Sequence, residues 1–135
     1  MGDAALQHEI DRARRGDGRL VLAYVDVDEL KAVNDRKGHS AGDALLVAVV
    51  STLRAKLRSF DPVVRYGGDE FVCAMSGTDT VEVTERFVEV AKALAREQDE
   101  AAVSVGVAEL RPGDTLTDLV TRGDAALYEA KRRQA

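Results

Sequence analysis

Four carboxylates in two short stretches carry the first chemistry in this sequence. Asp69 and Glu70 stand side by side in Arg65-Tyr66-Gly67-Gly68-Asp69-Glu70-Phe71, and Asp26 and Asp28 bracket Val27 well upstream. Adjacent carboxylates repel each other, and a cation or a substrate held between them relieves that repulsion. Hard oxygen donors of this kind suit a divalent ion that carries phosphate. Taken alone, Asp69 and Glu70 are read slightly better as a solvated acidic turn. The second cluster shifts the balance, provided the fold brings the two together.

The flanking residues say how that could happen. Pro62-Val63-Val64 and Phe71-Val72-Cys73-Ala74-Met75 are apolar runs joined by a polar, glycine-containing turn, the pattern of a β-hairpin. Gly67 and Gly68 are expected to supply backbone freedom at its tip. Leu20-Val21-Leu22-Ala23-Tyr24-Val25 is almost continuously apolar, as in a strand buried on both faces, and residues 20 to 26 form the first strand. If the hairpin pairs beside it, Asp26 and Asp69 can share a metal.

The remaining chain reads as helices around these strands. Residues 3 to 15 form a helix with Leu6 and Ile10 inward and Gly16 as its stop. A short helix covers Glu29 to Asp35. Ser40 N-caps a long helix through about Leu57, with Leu45, Leu46, Val49, Val50, Leu53 and Leu57 on one face. Thr80 to Glu97 is a further amphipathic helix with Val83, Phe87, Val90, Ala91 and Leu94 inward. Ala101 to Ala108 is a strand, and Leu116 to Arg132 is helical, interrupted at Gly123. This order describes an α+β fold, a mostly antiparallel central sheet flanked by helices.

Arg65 to Phe71 resembles the Gly-Gly-Asp-Glu-Phe signature of the GGDEF family, the diguanylate cyclase catalytic domains. Asp26 to Asp35 resembles the first motif of that family and Gly38 to Asp43 its second. Val103 to Ala108 and Asp124 to Lys131 resemble the closing ones, so the likeness runs in order over roughly residues 20 to 131. It implies a fold related to class III nucleotide cyclases and polymerase palm domains. It implies condensation of two GTP into cyclic di-GMP with release of two pyrophosphates. The implied metal is Mg2+ or Mn2+, held by Asp26, the carbonyl of Val27, and Asp69. Asp69 is also the implied base, and Lys31 the implied stabiliser of charge on the reacting phosphates. Asn34 and Asp43 correspond to a guanine-reading pair, His39 to a substrate contact, and Lys131 to a second phosphate-binding lysine. Glu70 and Asp28 stand in the motifs without an assigned role. Arg58 and Asp61 correspond to an Arg-x-x-Asp inhibitory site for cyclic di-GMP.

Each of these residues also has an ordinary reading. Asp26 could cap a helix, Asn34 end one, and Asp43 complement a helix dipole. His39 could simply bond within its loop, Lys131 could be a basic helix end, and Arg58 and Asp61 a surface ion pair. The sequence also departs from the family pattern. Leu30 stands at a commonly aromatic position, an opening Asp-x-Leu-Thr is missing, and Gln134-Ala135 stands where Gly-Arg is usual. Lower affinity for GTP is expected from that last difference. The alternative to an enzyme is a catalytically weak module that binds GTP or cyclic di-GMP.

Composition narrows the partners. A length of 135 residues with 45% apolar and 32% charged residues suits one catalytic domain over 1–135, residues 1–18 being its N-terminal helix and no sensory domain being present. A net charge of −5 argues against nucleic acid. Lone Cys73 makes no internal disulfide, and no apolar run spans a membrane, so a cytoplasmic location is expected. The family likeness implies a homodimer for turnover, weak here, and an N-terminal regulatory domain in the full protein.

Overall fold

All eight residues of Leu20–Val27 (β1) are buried, which is why their apolar run is continuous. The computed structural model describes residues 2–98 and 101–134. In chain order the other elements are α1 (Asp3–Arg15), α2 (Leu30–Lys37), α3 (His39–Lys56), β2 (Val63–Arg65), β3 (Glu70–Ser76), α4 (Thr80–Glu97), β4 (Val103–Glu109) and α5 (Leu116–Gln134). The strands form one sheet in the order β2-β3-β1-β4, and every neighbouring pair is antiparallel. The expected α+β class is therefore found, with the hairpin beside β1.

Alternation along β1 divides the core in two. Val21, Ala23, Val25 and Val27 face one side, where they join Val49 and Leu53 of α3 and Phe87 and Leu94 of α4. Leu20, Leu22 and Tyr24 face the other, against Leu6 and Ile10 of α1 and Leu119 and Leu127 of α5. Helices therefore cover both faces of the sheet. Cys73 lies in β3 on the first face, fully buried, and burial pushes its thiol up to about 12. No helix among the described residues is long and apolar enough to cross a membrane.

Three local expectations are corrected. Ser40 is not the N-cap of α3. Gly38 is, at φ 87°, and no side chain caps that helix. The same glycine closes α2 by donating its N–H to Asn34 O at 2.8 Å, so one residue with freedom at positive φ ends one helix and begins the next. Ala91 is exposed, because the buried row Val83, Phe87, Val90 and Leu94 uses the adjacent stripe of α4. Gly123 does not interrupt α5, which continues through it.

Gly123 is there for space. A β-carbon on it would lie 2.7 Å from Leu22 Cδ2 of β1. Its neighbour Gly106 on β4 is tighter still, since a β-carbon there would lie 2.1 Å from Leu127 N and 2.4 Å from Gly123 O. The backbone of α5 thus rests almost directly on β4. That seat sets the height at which the last turns of α5 cross the end of β1.

Gly106→Ala pushes a methyl group against main-chain atoms that cannot rotate away. It is expected to cost at least about 2 kcal/mol. Gly123→Ala is expected to cost less, because it meets the end of a leucine side chain and gains helix propensity of about 1 kcal/mol. Urea unfolding of both variants checks the order, and equal stabilities would mean that α5 is not seated as described.

Candidate functional site

The β1–β3 ladder runs from Leu20 opposite Ser76 to Asp26 opposite Glu70. It is extended by Val27 N–H, which donates to Asp69 O at 2.8 Å. This extension draws Asp69 in beside the strand end. One carboxylate oxygen from each of Asp26, Asp69 and Glu70 lies within 4.8 Å of the other two. The sequence brings Asp26 and Asp69 together on condition that the hairpin pairs beside the first strand, and it does. Glu70, left without a role, belongs to the same cluster because it begins β3 directly opposite Asp26.

The arrangement fits a divalent ion. Asp26 is the most buried member, with its side chain 9% exposed, and its Oδ1 is buried without a hydrogen-bond partner. Its Oδ2 accepts from Lys131 Nζ, whose ammonium is thereby held above its ordinary pKa, with Asp28 and Asp69 adding to the effect. The Val27 side chain has no donor atom, so only its main-chain oxygen can coordinate. Oxygen donors alone, one of them unpartnered, are what a hard cation takes. Asp26 is not a helix cap, since the residue before α2 is Glu29.

The tip of the hairpin is braced differently from the expectation. Neither Gly67 nor Gly68 has a positive φ. A β-carbon on Gly67 would lie 3.3 Å from Glu70 Oε1, so the glycine makes room for that carboxylate. Arg65 closes the turn, with its Nε donating to Gly67 O at 3.1 Å and a terminal nitrogen to Gly68 O at 2.7 Å. Two tyrosines add to this. Tyr24 OH donates to Glu70 Oε1 at 3.2 Å, and Tyr66 OH donates to Asp3 Oδ1 of α1 at 2.6 Å. Their rings meet edge to face, 6.1 Å apart.

The other predicted residues divide into three groups. Asp28 stands apart from the cluster and accepts from Ser104 Oγ at 2.8 and 2.9 Å. Burial raises its pKa. After it, Glu29 adopts the left-handed conformation at φ 57°, uncommon for a residue with a β-carbon and a mark of a turn held by its surroundings. No sequence signal announces that. The first N–H groups of α2 leave this turn without helical partners, and Lys31 on it is exposed with no ion pair among the described residues. In the second group, Asn34 Oδ1 is buried without a partner and lies where a β-carbon on Gly42 would stand, 1.7 Å away. Asn34 therefore packs against Gly42, the residue before Asp43, at the α2–α3 junction, with exposed His39 opening α3.

Arg58 and Asp61 form the third group, at the far end of β3. Arg58 donates to Asp61 through Nε and a terminal nitrogen, at 3.0 to 3.2 Å, and to Ser76 O at 2.7 Å. Asp61 is 1% exposed and also accepts from Arg58 N–H at 2.9 Å. The pair is therefore half-buried, not a surface pair. Phe60 is exposed beneath two guanidinium groups, Arg58 at 4.7 Å and Arg12 of α1 at 5.2 Å. Ser76 and Glu70 are the two ends of β3, roughly 20 Å apart, so this ion pair and the carboxylate cluster occupy opposite ends of one strand.

The family model for the diguanylate cyclase GGDEF domain matches residues 2–135. The chain belongs to the GGDEF family. Over 137 residues this GGDEF chain is 38% identical to the bifunctional diguanylate cyclase/cyclic di-GMP phosphodiesterase MucR of Pseudomonas aeruginosa, covering 96% of this chain and 20% of that protein. It is 34% identical to the probable diguanylate cyclase DgcC of Escherichia coli, covering 96% of this chain and 37% of DgcC. The chain thus spans well under half the length of these curated relatives. A solved microbial GGDEF domain studied for its interaction with cyclic di-GMP superposes with a TM-score of 0.87 at 36% identity, covering 97% of this chain and 84% of that one. The GGDEF domain of DgcB from Caulobacter crescentus, in complex with c-di-GMP, gives 0.82 at 30% identity over 96% and 84%.

In this GGDEF domain the bond from Tyr24 to Glu70 has a pH signature. Burial first, then the Glu70 charge, raises the Tyr24 phenol from its ordinary 10.0 to about 12. The unfolded chain ionises near 10, so stability falls as pH rises from about 10 to about 12. Tyr24→Phe is expected to lose about 1 kcal/mol at neutral pH and to show a shallower alkaline decline. Urea unfolding at pH 7 and pH 11 tests both, and an unchanged alkaline decline would remove Tyr24 as its source.

Proposed function

We propose that this chain is a diguanylate cyclase catalytic domain, joining two GTP into cyclic di-GMP and releasing two pyrophosphates. The observation that carries the reading is the convergence of Asp26, Asp69 and Glu70 at one strand end, with Lys131 beside them, in a chain of this family. Residues 1–135 act as one domain. Asp26, Asp69 and the Val27 carbonyl hold Mg2+ or Mn2+, with Glu70 at hand as a further oxygen donor. When bound, the ion neutralises phosphate charge and makes the ribose hydroxyl more acidic.

The chain's own residues position the substrate. The guanine edge presents adjacent N1–H and N2–H donors, which one carboxylate can accept, and Asp43 takes that role while the Asn34 amide serves the remaining edge. His39 contacts the substrate from the first turn of α3. The turn from Asp28 to Lys31 points main-chain N–H groups at the triphosphate, as helix N-termini do. Lys31 and Lys131 balance its charge. The 3′-oxygen of one GTP forms a bond to the α-phosphorus of the other, its proton passes to Asp69, and the bond to the leaving pyrophosphate breaks. A second such transfer closes the ring. Each subunit offers one GTP, so two subunits face each other across a two-fold axis. GTP supply puts the work in the cytoplasm, under the control of a regulatory domain N-terminal to this one.

Arg58 and Asp61 are proposed to bind the product and hold the domain in an unproductive arrangement. Arg58 is the more exposed member of the pair and suits a phosphate or guanine edge. A guanine donor reaches Asp61 only after the guanidinium swings aside.

Two measurements follow. Concentrated protein with GTP and magnesium is expected to form cyclic di-GMP by chromatography, with specific activity rising with protein concentration. Asp69→Ala is expected to lower the rate at least about a hundredfold. Bound GTP without any product, even with a dimerising segment fused N-terminally, would make the domain a receptor instead. Separately, Arg58→Ala is expected to weaken cyclic di-GMP binding about tenfold or more and to relieve inhibition. Calorimetry showing unchanged product affinity would reject that site.

A further inference from the structure

Lys131 contacts a residue that its proposed role does not need. Its Nζ donates to Asp26 Oδ2, yet the lysine has been placed as a phosphate ligand and Asp26 as an ion ligand. The two roles compete, because both cations draw on the single charge of one carboxylate. A divalent ion seated on Asp26 stands where it repels an ammonium on the same carboxylate, and an ammonium engaged with phosphate has left Asp26. We propose that Lys131 is a tethered cation that exchanges between Asp26 and the nucleotide phosphates, so that it competes with a divalent ion for Asp26 until a triphosphate draws it away. The inference rests on reading the cluster as a metal–nucleotide site and adds an order of preference to it.

Several features fit an exchange. Asp26 is the buried member of the pair, with its side chain 9% exposed, whereas the Lys131 side chain is 47% exposed and can swing. The backbone beneath the lysine cannot follow, because α5 rests on β4 through Gly106 and Gly123. Only the flexible stem is free to move. The other oxygen of Asp26 has no partner, so the carboxylate is half-engaged. Lys131 leaves net negative charge on the three-carboxylate cluster, enough to attract an ion but with one ligand oxygen taken. The result is coupling. The ion alone binds weakly, the ion with a triphosphate binds well, and each favours the other.

The probe is Mn2+, followed by the paramagnetic resonance signal of the free ion, with and without 3′-deoxy-GTP, which lacks the attacking hydroxyl. Lys131→Met is expected to tighten Mn2+ binding about three- to tenfold without nucleotide. It is also expected to shrink the enhancement that 3′-deoxy-GTP gives the wild type. Lys131→Arg keeps the cation and is expected to remain weak. Thermal melts confirm that both variants fold. Mn2+ affinity unchanged or lowered in Lys131→Met, with binding still abolished by Asp26→Asn, overturns the exchange and leaves the metal site standing. Tightening as large in Lys131→Arg as in Lys131→Met also overturns it, since the effect would not be one of charge. Equal Mn2+ binding by wild type and Asp26→Asn overturns the metal reading itself, and the exchange with it.

Discussion

Repulsion among Asp26, Asp69 and Glu70 is the constraint to which the site is built. Three carboxylates within 4.8 Å would spread apart on a flexible loop. Here each is fixed by something that does not yield. Asp26 ends a strand buried on both faces, Glu70 is its ladder partner, and Asp69 is tied through its main-chain oxygen to Val27 N–H. The core on both sides of β1 supplies the rigidity. Lys131, Tyr24 and Arg65 then neutralise or bond what the core holds in place.

The same strand geometry separates the carboxylate cluster from the Arg58–Asp61 pair while linking them. β3 has the carboxylate cluster at Glu70 and the Arg58–Asp61 pair at Ser76. Its five central residues are buried and pair with β1 along their length, so β3 can move only with the sheet. A ligand at Arg58 therefore has no short path through β3 to the carboxylates. If product bound there slows the reaction, the economical route is through the placing of whole subunits relative to one another, which leaves each site's internal geometry intact.

How much of this was legible in the sequence depended on whether a signal was local. The buried run of β1, the hairpin and the amphipathic helices follow from period and turn residues alone, and those elements are found close to their expected bounds. Pairing of the hairpin with β1 was conditional, because register is set by both strands and by the core beneath them. Glu70 was left without a role because its position depends on being opposite Asp26, a long-range fact. Gly67 and Gly68 read as residues needed for unusual backbone angles, yet neither has a positive φ, and Gly67 instead leaves room beside Glu70. Gly123 looked like a helix break for a similar reason. A glycine in one dimension says that something special happens there, but not whether it is a turn or a close approach. Ala91 was misplaced because alanine is small enough to sit on either side of a stripe boundary. Glu29 at positive φ and the Lys131–Asp26 contact had no sequence signal at all.

The placement of the tyrosines gives the protein an internal optical probe. The chain has no tryptophan and three tyrosines. Two of them, Tyr24 and Tyr66, meet edge to face beside the carboxylates, and the third, Tyr128, lies exposed on α5 three residues before Lys131. Near-ultraviolet dichroism needs aromatic rings held in an asymmetric, rigid setting, and among the tyrosines this edge-to-face pair meets the requirement. Near-ultraviolet dichroism beyond that of phenylalanine therefore comes mainly from one corner of the molecule. The spectrum of the unlabelled protein reads the state of that corner, with little background from the rest of the fold.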